Sequence, residues 1–309
     1  MKIVNIIGGL GNQMFQYAFA LALKEKHKEE VVKIDTSHFN YIFIKKFKSA
    51  NLHNGYEIEK VFPKAKLPHA TAWDLIKVTW YMPNYVLSRV VRKMLPVRKN
   101  EYIQKPADIF AFNVEVFNAK GNGYYEGVWQ AVEYLEEVKE TIQDVFLHPE
   151  PNEYNRLLIH EISSCNSVGL HVRRGDYLYA PEFNGICNLE YYKKAITEIL
   201  SDGNDHCFYI FSNDINWCKQ EIEPLLNGNK VVYVIGNTGK NSCWDMFLMT
   251  YCKNLIIANS SFSWWGAFLN KNVSKVVAPY PWVNREGNIE NYCAEWVKIG
   301  NVSYDYSYT

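Results

Sequence analysis

The residues most able to do chemistry run His-Val-Arg-Arg-Gly-Asp-Tyr from His171 to Tyr177, at the end of the apolar stretch "SVGLHV". A strand that finishes in two arginines, a glycine and an aspartate aims charge at a ligand. Alternation puts His171 and Arg173 on one side of such a strand and Arg174 on the other. Guanidinium forks bind phosphate oxygens in pairs and hold their charge at any working pH. Asp176 pairs with an arginine, orients one, or serves as a general base; the spacing allows all three.

A second cluster, "ANSSFSWWG", lies between an apolar run and a helical pattern at Ala258 to Gly266. Asn259, Ser260, Ser261 and Ser263 offer an amide and hydroxyls where backbone N–H groups at a helix start converge on an anion. Capping accounts for one serine, not for three with an asparagine. Phe262 sits inside this turn, and Trp264 and Trp265 read as core. Upstream, Asp245 in "WDMFLM" is either a cap or a carboxylate able to accept the N1–H and N2–H of a guanine.

The opening stretch "NIIGGLGNQMFQYAFALAL" puts Gly9 and Gly11 in the first two places of a dinucleotide fingerprint, with Asp35 closing the next strand. Met14 occupies the third glycine place, so the fingerprint is broken. Asn12 and Gln13 put two amides at the helix start instead, a corner suited to sugar hydroxyls or phosphate.

These residues need a scaffold, and the pattern supplies one. Residues 1 to about 47 read as strand, glycine turn, helix and strand; "WDLIKVTWYMPNYVLSRVVRKMLPVRK" reads as helical around Pro83 and Pro96; "GYYEGVWQAVEYLEEVKETIQDVF" reads as a short strand and a long helix from about 130 to 146. After "LHPEPNEYN", the expected linker, apolar runs alternate with helical segments through "INWCKQEIEPLL" to a last strand, "SKVVAPY". Such alternation means a parallel sheet wound on both sides, with ligands beyond the carboxyl ends of its strands.

Composition narrows the classes. At 309 residues two domains are expected. A formal net charge of zero gives no field to gather nucleic acid. The 15% of aromatic residues suits sugar stacking as well as core packing. Seven cysteines, all beyond residue 164 and without a C-x-x-C pair, read as free thiols rather than disulfides or a zinc site. The chain opens on a strand without a leader pattern, so a cytoplasmic protein is expected. Arg89, Arg92, Lys93, Arg98 and Lys99 form a basic group, read as a solvated face or as contact with a membrane or an anionic acceptor.

In order along the chain, "GGLGNQMFQYAFA", "GVWQAVEYL", "HVRRGDY", "FSND" with Trp217, and "DMFLMTYCKNLIIANSSFSWWGAFL" resemble glycosyltransferase family 11, the α-1,2-fucosyltransferases, in bacterial form, from residue 3 to about 280. The resemblance implies an α/β fold of two Rossmann-like domains with parallel sheets facing across a cleft (GT-B-like), GDP-L-fucose as donor, inversion at the anomeric carbon and no metal. It assigns residues 1–148 to the acceptor side and 149–309 to the GDP-sugar. Arg173 is expected to grip the β-phosphate, with His171, Arg174 and Asp176 in the same motif. Asp245 is expected near guanine, and Ser260, Ser261, Phe262 and Ser263 around the diphosphate and base. Gly11, Asn12 and Gln13 are expected to face the donor phosphates or the acceptor. Where many members read W-Q-S-E-K-Y-F, this chain reads "WQAVEYL", a shift that bears on the acceptor.

An enzyme without a metal needs fixed cations and N–H dipoles for the departing phosphate, a role for Arg173 helped by His171 and the turn at Ser261. Asp176 and Glu126 are the candidate bases for the acceptor hydroxyl, unless a dissociative transition state needs none. The family suggests a terminal galactose as acceptor, on a surface-glycan repeat unit carried by a lipid at the cytoplasmic face. The rivals are a nicotinamide-dependent oxidoreductase using Gly9, Gly11 and Asp35, and a non-catalytic carbohydrate-binding protein.

Overall fold

Short apolar runs set both sheets. The computed structural model describes residues 1–40, 54–82, 85–285, 289 and 291–300, and it divides into two units, Met1–Pro149 with Gly287–Tyr292, and Glu150–Glu286 with Cys293–Thr309. In the first unit β1 (Lys2–Asn5), β2 (Val32–Asp35), β3 (Glu101–Ile103) and β4 (Gly123–Glu126) are all parallel, in the order β2-β1-β4-β3. The helices around them are α1 (Leu10–Lys26), α2 (Ile58–Val61), α3 (Ala72–Val78), α4 (Tyr85–Met94), α5 (Val114–Asn118) and α6 (Lys139–Val145). Strands of a parallel sheet are covered on both faces, which explains why "KIVN" is buried at every position.

The long helix expected from 130 to 146 is broken. Val132–Tyr134 and Glu136–Val138 form tighter 3-10 turns, and only α6 is regular. Ala131, Tyr134, Leu135, Val138 and Ile142 keep the helical burial period that suggested continuity. The turns carry no side-chain caps, and Glu133, Glu136, Glu137 and Glu140 crowd like charges into consecutive turns.

In the second unit β5 (Ser167–Val172), β6 (Cys207–Ser212), β7 (Lys230–Val234), β8 (Asn254–Ile256), β9 (Lys275–Tyr280) and β10 (Val297–Gly300) form one parallel sheet, in the order β10-β9-β8-β5-β6-β7. The last strand is therefore β10, paired with β9 from Val297 opposite Val277, and not "SKVVAPY". The helices are α7 (Glu153–Ser163), α8 (Leu189–Leu200), α9 (Ile215–Trp217), α10 (Cys243–Met249) and α11 (Ser261–Phe268). "INWCKQEIEPLL" opens as α9, widens to a π segment over Cys218–Ile222 and tightens to 3-10 over Glu223–Leu226. Pro224, which has no N–H to donate, lies where the tightening begins.

The core of this sheet joins Val168, Leu170 and Val172 of β5 to Tyr191, Tyr192 and Ile196 of α8, with Phe208 and Ile210 of β6. Gly169 lets the packing close in, because a Cβ there would lie 2.7 Å from Leu255 Cδ2 and force that side chain to shift. From β5 the chain runs outward through β6 and β7, then crosses back to lay β8 on the other flank of β5. The strand order thus reverses between β5 and β8, and a doubly wound sheet binds its ligand beyond the carboxyl ends at such a reversal.

Candidate functional site

Both polar clusters of the second unit sit at that reversal. Past β5 the chain turns at Gly175, whose φ of +62° lies in the left-handed region and where a Cβ would stand 2.8 Å from Asn213 Nδ2. Arg174 is held from the loop after β6. Its N–H donates to Asn213 Oδ1 (2.9 Å), its Nε to Asp214 Oδ2 (3.0 Å), and its guanidinium lies 4.2 Å from the centre of the Trp217 ring. Asp214 is itself fixed as the N-cap of α9, since Oδ1 accepts from Trp217 N (3.2 Å). Arg174, read as a phosphate ligand, is thereby occupied in bracing the loop.

Arg173 is the more available cation. One Nη donates to Asp176 Oδ1 (2.7 Å), and the guanidinium stands 5.4 Å from the Tyr177 ring centre. Both partners remain solvent-accessible, at 33% and 53%, so the pair is weak and an incoming anion can share or displace it. His171, expected to help Arg173, is not a second cation. It is buried, and burial together with the neighbouring Arg173 charge pushes its pKa down to about 3. The imidazole is neutral at working pH, and its Nδ1 is buried without a hydrogen-bond partner. Tyr192 donates its hydroxyl to the His171 carbonyl (3.0 Å), which fixes the end of β5.

The serine turn follows β8. Ser260 caps α11 by accepting from Phe262 N. The His171 and Phe262 rings lie 6.0 Å apart, so the end of β5 and the serine turn adjoin. Two residues expected to meet a ligand are engaged internally instead. Asn259 donates to Trp282 O (3.2 Å) and accepts from the Cys187 thiol (3.3 Å), which burial keeps protonated to about pH 12. Ser263 is fully buried and donates to Ala258 O (3.2 Å) and Ser260 O (3.3 Å). A turn this tight bends its own polar groups back onto its carbonyls. Ser261 and Phe262, both half-buried, remain on its outer side.

Asp245 lies in the first turn of α10, where desolvation pushes its pKa up to about 7 against a hydrogen bond from Asn237 Nδ2 (3.0 Å). Asn237 exchanges a reciprocal amide pair with Asn155 (2.9 and 3.0 Å), so the carboxyl is propped from α7. No separate signal in the sequence points to Asn237 or Asn155. Asn213, Asp214 and Trp217 were visible in "FSND" and the tryptophan that follows, where a polar end on the adjacent strand marks a neighbour of the arginine loop.

In the first unit the amides of α1 knit loops together, as polar groups on a helix buried nearly all round must. Gln13, expected to face a ligand, is fully buried: Nε2 donates to Gly8 O and Gly55 O (2.8 Å each), and Oε1 accepts from Glu57 N (2.9 Å). Gln16 joins Ile7 N to Gly127 O, and Asn12 Oδ1 accepts from Gln130 Nε2 (2.9 Å). Gly11 is buried, so Asn12 is the half-exposed member of that trio. Asp35 accepts from Tyr124 Oη (2.8 Å) and Asn5 Nδ2 (3.3 Å) and is buried, a structural use in place of a ribose contact. Glu126 is ion-paired with Arg92.

A profile of Glycosyl transferase family 11 matches residues 1–300. The chain is 33% identical to an alpha-1,2-colitosyltransferase of Escherichia coli, over 96% of this chain and 98% of that one. It is 23% identical to galactoside alpha-(1,2)-fucosyltransferase 2 of Hylobates lar, over 91% and 72%. Among solved structures, fucosyltransferase NodZ from Bradyrhizobium superposes with a TM-score of 0.50 at 14% identity, covering 89% of this chain and 92% of that one. That likeness bears on the fold alone, two α/β units of the glycosyltransferase-B type. The chain belongs to glycosyltransferase family 11.

Proposed function

We propose that this glycosyltransferase moves L-fucose from GDP-L-fucose to the 2-hydroxyl of a terminal galactose, on a surface glycan or its lipid-carried precursor, with inversion and without a metal ion. One observation supports the donor assignment: the end of β5 and the serine turn of β8 adjoin at the strand-order reversal, with the His171 and Phe262 rings 6.0 Å apart. That place suits a diphosphate. The colitosyltransferase and the galactoside fucosyltransferase named above carry an α-1,2 linkage in their names, which supports the linkage.

In this reading the acceptor hydroxyl attacks the anomeric carbon from the face opposite the diphosphate. Arg173 takes up the charge that develops on the departing phosphate, and the free N–H groups at the start of α11 add fixed dipoles. His171 contributes a neutral ring and at most an N–H. Arg174 keeps the loop in place. Ionised Asp245 accepts the guanine N1–H and N2–H, and Asp176 is the candidate base.

Calorimetric titration with GDP, NAD and free oligosaccharides, with metal chelated, tests the donor class; GDP alone among the nucleotides should bind. Linkage analysis of the product made from GDP-fucose and a galactose-terminated acceptor tests the rest. Absence of GDP binding removes the reading. The colitosyltransferase relative favours one alternative donor sugar, so a GDP-colitose arm belongs in the same assay.

A further inference from the structure

The basic segment noted in the sequence divides into an inward and an outward side. Inward, Ser88 accepts from Met82 N (2.7 Å), and Arg92 lies 5.0 Å from the Tyr124 ring centre while pairing with Glu101 (3.4 Å) and Glu126. Arg92 therefore does not belong to a solvated face. Arg98 is likewise engaged, donating to Ile76 O (3.0 Å) with its guanidinium 4.0 Å from the Trp80 ring centre. That contact ties the chain after α4 to the end of α3.

Outward, α4 presents an apolar stripe. Leu87, Val90 and Met94, spaced three and four residues apart, are 44%, 47% and 79% exposed, and Leu95 and Val97 beyond the helix are 38% and 56% exposed. On α3, Trp73 and Ile76 are 76% and 42% exposed. Lys77, Lys93 and Lys99 are exposed in the same segment. From Trp73 to Lys99 the only acidic residue in the sequence is Asp74, and Lys33 neutralises it at 2.8 Å. Exposed apolar side chains with unopposed lysines are the two halves of an interfacial lipid-binding surface.

We infer that the face formed by α3, α4 and the segment after α4 docks in the plane of an anionic lipid bilayer, with Leu87, Val90 and Met94 in the headgroup boundary and Lys93 and Lys99 on lipid phosphates. Charge complementarity selects this occupant. A second copy would bring the same lysines against one another, whereas anionic headgroups neutralise them. No helix among the described residues is long and apolar enough to cross a membrane, which fits contact from one side. The inference does not depend on which sugar is transferred.

The test is flotation of the full chain with vesicles of phosphatidylcholine alone and of phosphatidylcholine mixed with phosphatidylglycerol, at low and high salt. Binding is expected with the anionic vesicles only and falls with salt. Lys93→Gln with Lys99→Gln should weaken it roughly fivefold per lysine, equivalent to about 1 kcal/mol each. Val90→Ser with Met94→Ser should weaken it about tenfold per side chain. GDP titration and melting curves of the variants serve as folding controls. Equal binding to both vesicle types, or variants that bind like the parent, overturns the inference. So does a parent dimer that Val90→Ser with Met94→Ser converts to monomer while vesicle binding is unchanged.

Discussion

Arg174 Nε stands 3.0 Å from Asp214 Oδ2, an ion pair that ties the loop after β5 to the loop after β6. Asp214→Ala frees that side chain and lets the neighbouring Arg173 drift. Misplacement of a transition-state contact by an ångström can cost about a hundredfold in rate, so kcat should fall by that order while the fold survives. Steady-state kinetics with a GDP-sugar check it; an unaltered kcat would show that the clamp is dispensable.

Arg173→Ala removes the cation assigned to the leaving phosphate. Loss of one such contact costs about 3 to 4 kcal/mol, a rate loss of roughly a hundredfold to a thousandfold. Arg173→Lys should recover only part of it, because an ammonium keeps the charge but not the fork. Near-normal turnover by folded Arg173→Ala would remove the assignment.

Asp245 makes two linked pH predictions. Its native carboxyl holds a proton up to about pH 7, whereas the unfolded chain releases it near 3.8. The folded state binds more protons between those values, so this group's contribution to stability declines as pH rises through the window. Asp245→Asn should therefore melt higher than the parent at pH 8. Guanine recognition needs the ionised form, so GDP affinity of the parent should rise with pH up to about 7 and level off. The variant should bind weakly with no such rise, and calorimetry across pH would expose a contrary result.

Gly175→Ala places a methyl group 2.8 Å from Asn213 Nδ2 at a positive φ. Strain of this kind costs about 1–3 kcal/mol. A lower melting temperature and weaker GDP binding are expected together, since the same turn carries Arg173. A variant with parental stability would mean that the loop relaxes freely.

Asp176 and Glu126 separate in a pH–rate profile. Glu126 is held by Arg92 at the end of β4, whereas Asp176 is half exposed beside Arg173. If Asp176 is the base, Asp176→Asn abolishes the acid limb and Glu126→Gln leaves it intact. The opposite pattern would move the role to Glu126.

The strands and the two polar clusters were legible in the sequence because parallel strands are unbroken apolar runs and their carboxyl ends turn polar. The uses of individual polar residues were not. Gln13, Asn259 and Ser263 have the chemistry of ligands, yet each is turned onto a backbone carbonyl or amide that only the tertiary path brings near. That His171 is held neutral depends on its burial, which the sequence does not show. The break in the helix expected after residue 130 was hidden because its apolar spacing stays helical. Arg92 looked solvated because Glu101 and Glu126 reach it from other strands.

The supports of the arginine loop come from far along the chain. Asn213 is 39 residues beyond Arg174, and Phe262, whose ring neighbours His171, arrives only with the turn after β8. Contacts of such sequence separation form late, after loop-closure entropy has been met. The arginine loop and the serine turn meet only when the sheet is present on both flanks of β5. A chain truncated after β7 would retain both arginines and the Asn213–Asp214 brace but lack the serine turn. A bound nucleotide, in turn, would stabilise the finished unit as a whole.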